Sequence, residues 1–236
     1  MSNALDPEEG AIMLVDKPQD WTSFNVVAKI RAGLQAVCGR RIKVGHGGTL
    51  DPLATGLLVI GTGKCTKQLQ HFADADKTYV ATLRLGESTP SYDAETEVDT
   101  ERPWAHIDEE RLRAVLPRFT GEIQQRPPDF SAKRFQGERA YHLARAGEPV
   151  ELPPVTLTIH RLALINFDAP HATLEVHCSK GTYIRSLAHD MGQALGCGAH
   201  LAALRRTASG DLHVRDARTP EQWSKWLDEW AARQGK

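Results

Sequence analysis

The sequence predicts an α+β fold, a mixed and largely antiparallel sheet flanked by helices. Three observations carry that reading. Strand patterns recur as buried apolar runs at 11–18 and 57–61, an alternating run at 76–86, and a pair at 155–166 and 172–178. Helical patterns fall between them at irregular intervals, so no βαβ repeat or solenoid period emerges. The chain has 236 residues, enough for a substantial core, and is expected to form one domain over 1–236 with an excursion at about 124–153.

Each element has its own signal. AIMLVDKP (11–18) is an apolar run that Pro18 ends. Thr22 or Ser23 then caps a helix whose Val26, Val27, Ile30, Leu34 and Val37 share one face. Residues 39–56 read as a loop region with a short strand at 42–45. A strand at 57–61 and a helix over about 66–75 follow. In DKTYVATLRLG (76–86), Tyr79, Ala81, Leu83 and Leu85 alternate with Val80, Thr82 and Arg84, which is period two. An acidic linker (87–107) leads to a helix at 108–119, with Leu112, Val115, Leu116 and Phe119 at helical spacing. The segment 124–153 is rich in Pro, Gly and Arg with Phe130, Phe135 and Tyr141 interleaved, and has room for one helix at 137–146. After the strand pair, 180–195 is a turn feeding a helix. Residues 200–210 read as a strand or short helix, and an amphipathic helix covers 219–234, with Pro220 near its start.

Composition excludes several classes. No apolar run approaches the roughly 20 residues of a membrane span, and the acidic N-terminus lacks a signal peptide's basic and apolar regions, so a cytoplasmic protein is expected. Cys38, Cys65, Cys178 and Cys197 form no CxxC pair. His177, Cys178, His189, Cys197 and His200 invite a metal reading, but His177 and Cys178 are adjacent on a strand and point to opposite faces. No metal is expected. Net charge is −1, yet its distribution is uneven. Five basic residues lie in 40–67 (Arg40, Arg41, Lys43, Lys64, Lys67) against Asp51 alone, and five more in 126–145. Basic residues interleaved with aromatics suit phosphate neutralisation and base stacking, and equally suit a solvated loop packed on the body.

The densest motif is GHGGTLDPLATGLLVIGTGKCTK (45–67). Glycines at 45, 47 and 48 permit unusual backbone or close approach, and Pro52 restricts Asp51 to an extended conformation. A carboxylate is thereby set on a stiff loop ahead of an apolar strand. Read locally, Asp51 is either a turn residue or a catalytic acid. GTGKCT (61–66) fails the phosphate-loop pattern, which needs Gly where Leu58 stands and Ser or Thr where Cys65 stands. There is no GxSxG and no HExxH. Candidate partners for Asp51 are Lys17, His46, Tyr79, Lys180, Tyr183 and Arg185. A clefted carboxylate is best held ionised by a bidentate arginine, and Arg185, after a glycine turn, is placed for it.

These blocks together resemble the TruB family of tRNA pseudouridine synthases, from Leu14 to about Arg206. LVDKP (14–18), GHGGTLDPLATGLL (45–58), DKTYVATLRLG (76–86), SAKRFQGERAYHLARAG (131–147), CSKGTYIRSLAHDMG (178–192) and CGAHLAALRR (197–206) are similar to the family's motifs and stand in its order. The resemblance implies the pseudouridine synthase fold and isomerisation of uridine 55 in the tRNA T loop. The N1–C1′ bond is cleaved, the uracil rotates, and it rejoins through C5. No cofactor is implied, because every atom of the substrate is kept. By position, Asp51 would be the catalytic aspartate, Tyr79 would stack on the base near the C5 proton, and Arg185 would pair with Asp51. Tyr183 and Leu204 would shape the uracil pocket, and His46 would hold the opened loop. Lys17 would support the site, and Lys133 and Arg134 would lie in the RNA-gripping insertion. Attack on the base, attack on C1′ and removal of the 2′ proton stay open as routes.

Two departures stand out. Gly47 replaces the family's usual Thr, at a position expected to border the RNA. The PUA domain of many members has no counterpart before Lys236. A stand-alone monomer acting on tRNA without an obligatory protein partner is expected. The alternatives are a non-catalytic tRNA-binding or folding protein and a guide-dependent synthase subunit of the box H/ACA kind.

Overall fold

The computed structural model describes residues 6–131, 133–135, 137–148, 150 and 152–235, without the side chains of Arg134, Arg139, Tyr141 and Arg145. In chain order the elements are β1 (Ile12–Lys17), α1 (Ser23–Cys38), β2 (Val44–His46), β3 (Thr55–Thr62), α2 (Leu69–Asp74) and β4 (Lys77–Leu85). A short pair, β5 (Glu87–Ser88) and β6 (Thr100–Glu101), precedes α3 (Glu109–Val115) and β7 (Gly121–Gln125). Next come β8 (Arg134–Phe135), β9 (Glu138–Arg139), α4 (Ala140–Arg145), β10 (Val155–Asp168), β11 (His171–Cys178) and α5 (Ile184–Leu195). The chain closes with β12 (Ala199–Ser209), β13 (Leu212–His213) and α6 (Pro220–Arg233). The chain folds as two compact units, Met1–Lys77 with Arg205–Lys236, and Thr78–Leu204.

In the first unit β3 is central. It pairs antiparallel with β1 and β2, and parallel with the end of β12 at Arg205↔Thr55 and Arg206↔Gly56. Thr22 caps α1 with a reciprocal box to Asn25, and Gly39 ends it in the left-handed region. The predicted apolar face of α1 (Val26, Val27, Ile30, Leu34) packs on Met13 and Val15 of β1, Leu58 and Ile60 of β3, and Trp223 and Leu227 of α6. Pro220 sits at the start of α6, as its fixed φ favours. The unit's loops therefore hang from a well-packed layer of helices on strands.

In the second unit the strands run in the order β12, β4, β11, β10, β7. The alternation in β4 is observed, with Tyr79, Ala81, Leu83 and Leu85 on the buried side. One open alternative is resolved and two elements depart from the sequence expectation. Of strand or short helix at 200–210, a strand forms over Ala199–Ser209, with Ala199 and Leu201 buried. Strand β7 is a polar GEIQQ run held by its ladder to β10 rather than by apolar content. The 66–75 helix is a 3₁₀ turn (Gly63–Gln68) followed by a short α2, because Lys77 Nζ donates to the carbonyls of Phe72, Ala73 and Ala75 and stops it.

Candidate active site

The first unit builds the loop carrying Asp51, and main-chain groups along its length are held by named partners. Gly47 N–H donates to Val59 O at 2.8 Å. Ser23 Oγ donates to Leu50 O and accepts from Leu50 N–H, at 3.1 and 2.9 Å. Ala54 N–H closes a turn onto Asp51 O at 3.1 Å, and Asp20 N–H reaches Pro52 O at 2.9 Å. Arg206, only 2% exposed, donates Nε to Leu57 O (2.7 Å), Nη1 to Thr49 O (3.3 Å) and Nη2 to Gly48 O (3.2 Å). One guanidinium thus clamps both ends of the segment. Gly56 lets β12 come this close, since its φ is +99° and a Cβ there would lie 2.3 Å from Arg206 O.

Lys17 is fully buried, and its ammonium donates to the carbonyls of Pro18 (2.9 Å), Trp21 and Pro52 (3.3 Å). Burial pulls its pKa down to about 8, against the opposing pull of Asp51 and Asp20, while Arg206 adds to the depression. The three donors of Lys17 all point at protein carbonyls. His46 is half-buried on β2, with Nδ1 buried. Burial, then the Arg206 charge, lowers its pKa and keeps it neutral at pH 7.

The glycines of the motif serve the protein itself. A Cβ on Gly45, Gly47 or Gly61 would each meet Leu69 of α2, and on Gly47 it would lie 3.0 Å from Phe72 Cβ and 3.1 Å from Leu69 O. Gly47 is buried. The expectation that this position borders RNA is corrected: its missing side chain is space filled by α2.

The second unit builds the surroundings of Arg185, on the first turn of α5 and 6% exposed. Nε faces Asp93 Oδ2 at 3.6 Å, Nη1 donates to Ser91 O at 3.4 Å and Nη2 to Phe130 O at 3.0 Å. Asp93 is 1% exposed. It accepts from Ser91 Oγ (2.6 Å) and Glu95 N–H (2.9 Å) at Oδ1, and its own carbonyl accepts from Thr89 Oγ1 (2.6 Å). Sequence reasoning missed Asp93, one of six acids in the acidic linker at 87–107. Its flanking Ser and Thr hydroxyls were the available signal. Tyr79 is 8% exposed on β4. Tyr183 caps α5 and exchanges two bonds with the Gln125 side chain, at 2.8 and 3.0 Å. Leu204 is half-buried on β12.

Within the insertion, Lys133 is exposed, and the Arg134 side chain lies outside the described residues. Phe135 and Leu143 pack on Ala140, Val150 and Leu152. Phe135 thus supports a small core of the insertion instead of standing free for stacking. Of the basic residues at 40–67, Arg40 and Lys64 pair with Glu8 and Glu9 at 2.9 and 2.7 Å, while Arg41, Lys43 and Lys67 stay exposed. Among the described residues no group of three or more His, Cys, Asp or Glu could hold a metal ion, and no helix is long and apolar enough to cross a membrane.

Comparison with known proteins adds an independent line. The family model for the "TruB family pseudouridylate synthase (N terminal domain)" matches residues 35–184, and that for the "tRNA pseudouridylate synthase B C-terminal domain" matches 185–233. The chain is 50% identical over 223 residues to tRNA pseudouridine synthase B of Phocaeicola vulgatus, covering 94% of this chain and 95% of the relative. It is 49% identical over 226 residues to the protein of that name from Parabacteroides distasonis, covering 95% and 96%. Among solved structures it is similar to the archaeal box H/ACA sRNP Nop10–Cbf5 complex (TM-score 0.67) and to a Cbf5–Nop10–Gar1 complex (TM-score 0.70), at 29% identity in each case. Those matches cover 94% and 95% of this chain, which spans 55% and 57% of the length of the solved ones.

Proposed function

Because the chain belongs to the TruB family and is a pseudouridine synthase acting on tRNA, we propose that its target is uridine 55 of the T loop and that Asp51 is its catalytic carboxylate. The observation that carries this reading is the anchored 47–54 segment. Lys17, Asp20, Ser23 and Arg206 hold its main chain, so the loop's single acidic side chain is offered from a fixed backbone. Preorganisation of this kind is what a carboxylate needs to act on one bond of a flipped nucleotide.

In this reading Arg185 is the cation that Asp51 works with, and Asp93, Ser91 and Phe130 hold the guanidinium in orientation. Tyr79 stacks on the uracil, worth on the order of 1–3 kcal/mol, and offsets part of the few kcal/mol spent in flipping the base. Tyr183 and Leu204 border the uracil. His46, kept neutral, fills the space the nucleotide leaves, and a neutral ring does so without adding a salt-dependent contact. Lys133 and Arg134, with the insertion at about 124–153, neutralise phosphates of the T stem. The enzyme acts as a monomer in the cytoplasm without guide RNA or partner protein.

The test is incubation of the pure protein with an unmodified tRNA transcript, followed by mapping of pseudouridine. Product at position 55 without added protein or guide RNA is expected, and Asp51→Asn abolishes it while T-loop binding persists. Product at another position overturns the site assignment. Product only with a guide RNA favours the guide-dependent alternative. Turnover by the Asn variant removes Asp51 from the chemistry.

A further inference from the structure

Tyr92 takes no part in the reaction as read above, yet it has an unusual backbone. Among the described residues only Asp20 and Tyr92 are non-glycine with positive φ, at 65° and 62°. A bulky aromatic in the left-handed region is strained, and such strain persists where the surroundings over-determine it. Here they do. Tyr92 N–H donates to Thr89 O (3.1 Å), and Tyr92 O accepts from Leu201 N–H (2.9 Å). On one side Ser91 O accepts from Arg185, and on the other the Asp93 carboxylate faces the same guanidinium. The left-handed turn at residue 92 is what lets neighbours on both sides address one arginine.

The ring of Tyr92 leaves in another direction and stacks on His189, with centroids 3.9 Å apart and planes 20° apart. His189 follows Arg185 by four residues on α5, so the two lie on one helix face, one turn apart. The 89–93 loop therefore grips α5 at two points. Burial keeps His189 neutral, and its Nδ1 is buried with no partner among the described residues, so packing and stacking hold this ring rather than a hydrogen bond at that nitrogen. Tyr92 and His189 also line a cleft of about 530 Å³ with Phe130, Asp129 and Arg102, so the tyrosine has room to swing out.

We infer that the Tyr92–His189 stack is a positioning device that holds the Ser91 and Asp93 acceptors on Arg185, and through them fixes the guanidinium for catalysis. The inference rests on the reading of Arg185 as a group of the active site. With the stack lost, residue 92 is free to relax to negative φ. Ser91 O and the Asp93 carboxylate then turn away, leaving Arg185 with the Phe130 carbonyl alone out of the three acceptors described above.

Single-turnover pseudouridine formation and RNA affinity, measured separately, test this. Tyr92→Gly loses the ring and leaves residue 92 free to adopt either sign of φ, and His189→Ala loses the other half of the stack. Each should slow the chemical step on the order of tenfold while RNA affinity stays within about twofold. Tyr92→Phe and His189→Phe keep a planar ring and should restore the rate. The double variant Tyr92→Gly/His189→Ala should be no slower than the slower single one, since both remove one interaction. In an Arg185→Lys background, Tyr92→Gly should slow nothing further. A Tyr92→Gly enzyme as fast as wild type, or effects that multiply in the double variant, would overturn the inference. Arg185→Lys at wild-type rate would instead overturn the role given to Arg185, and so the two failures are distinguishable.

Discussion

Replacing Arg206 by Met removes three hydrogen bonds from the backbone that carries Asp51, and the structure sets the size of the loss. Leu57 O is buried, so leaving it unpaired costs about 1–3 kcal/mol. Thr49 is exposed and Gly48 partly so, which lets their carbonyls turn to water at about 0.5–1.5 kcal/mol each. The sum is roughly 2–6 kcal/mol, against a total stability on the order of 5–15 kcal/mol, so the variant melts earlier. At about 2–4 °C per kcal/mol for a chain of this size, thermal melting should fall by roughly 4–24 °C. The catalytic consequence is larger than that loss implies, because the clamp fixes both ends of the Asp51 segment. Single-turnover product formation at saturating enzyme should drop on the order of a hundredfold. Arg206→Lys keeps the charge without the planar fork, so it should recover more stability than rate. A Met variant that melts within 2 °C of wild type and turns over at the same rate would refute the clamp.

Three further outcomes follow from the same geometry. Gly47→Thr pushes a side chain into Phe72 and Leu69 and should cost about 1–3 kcal/mol in urea denaturation; tighter RNA binding at unchanged stability would return the position to the RNA surface. Lys17 titrates near 8 folded against 10.5 unfolded, so the unfolded chain binds more protons in that window and stability rises with pH there, by at most about 3 kcal/mol. Lys17→Met should flatten this rise relative to wild type, as read by melting at pH 7.5 and 10.5. Burial raises Asp190 to about 6, so the folded chain holds a proton that the unfolded one releases from about 3.8 upward, and stability falls as pH rises through that window. Asp190→Asn should therefore melt higher than wild type at pH 7 and alike at pH 3.5.

Much of the frame was legible because it depends on periodicity. Val26, Val27, Ile30 and Leu34 mark the buried face of α1, and the alternation from Tyr79 to Leu85 marks that of β4, by hydrophobic spacing alone. The stiff backbone around Asp51 was legible because Gly and Pro at fixed offsets constrain backbone whatever the fold. What stayed hidden depends on tertiary neighbours. Asp93 looks like any acid of an acidic linker until Arg185 arrives from a segment 92 positions away. Arg206 reads as a basic residue on a strand, and only the parallel pairing to Gly56 turns it toward three carbonyls. The glycines at 45 and 47 announced close approach correctly, but sequence could not name Leu69 as the group approaching.

Asp51→Asn can be separated from a folding defect by its effect on Lys17. The loop's main chain is held by Ser23, Asp20, Lys17 and Arg206 through carbonyls and amides, and none of these bonds uses the residue 51 side chain. Asn at this position therefore keeps the loop. It does remove the larger of the two negative charges that support the Lys17 ammonium, so Lys17 falls further below its present value of about 8. The folded chain then releases that proton at lower pH, and the alkaline rise in stability must begin earlier than in wild type. Pro52 O keeps Asp20 N–H when Lys17 deprotonates, so the fold survives the change. Loss of turnover together with this earlier rise places the missing charge beside Lys17. Loss of turnover with an unchanged rise would mean that Asp51 does not face the ammonium, and the electrostatics argued for the loop would be wrong.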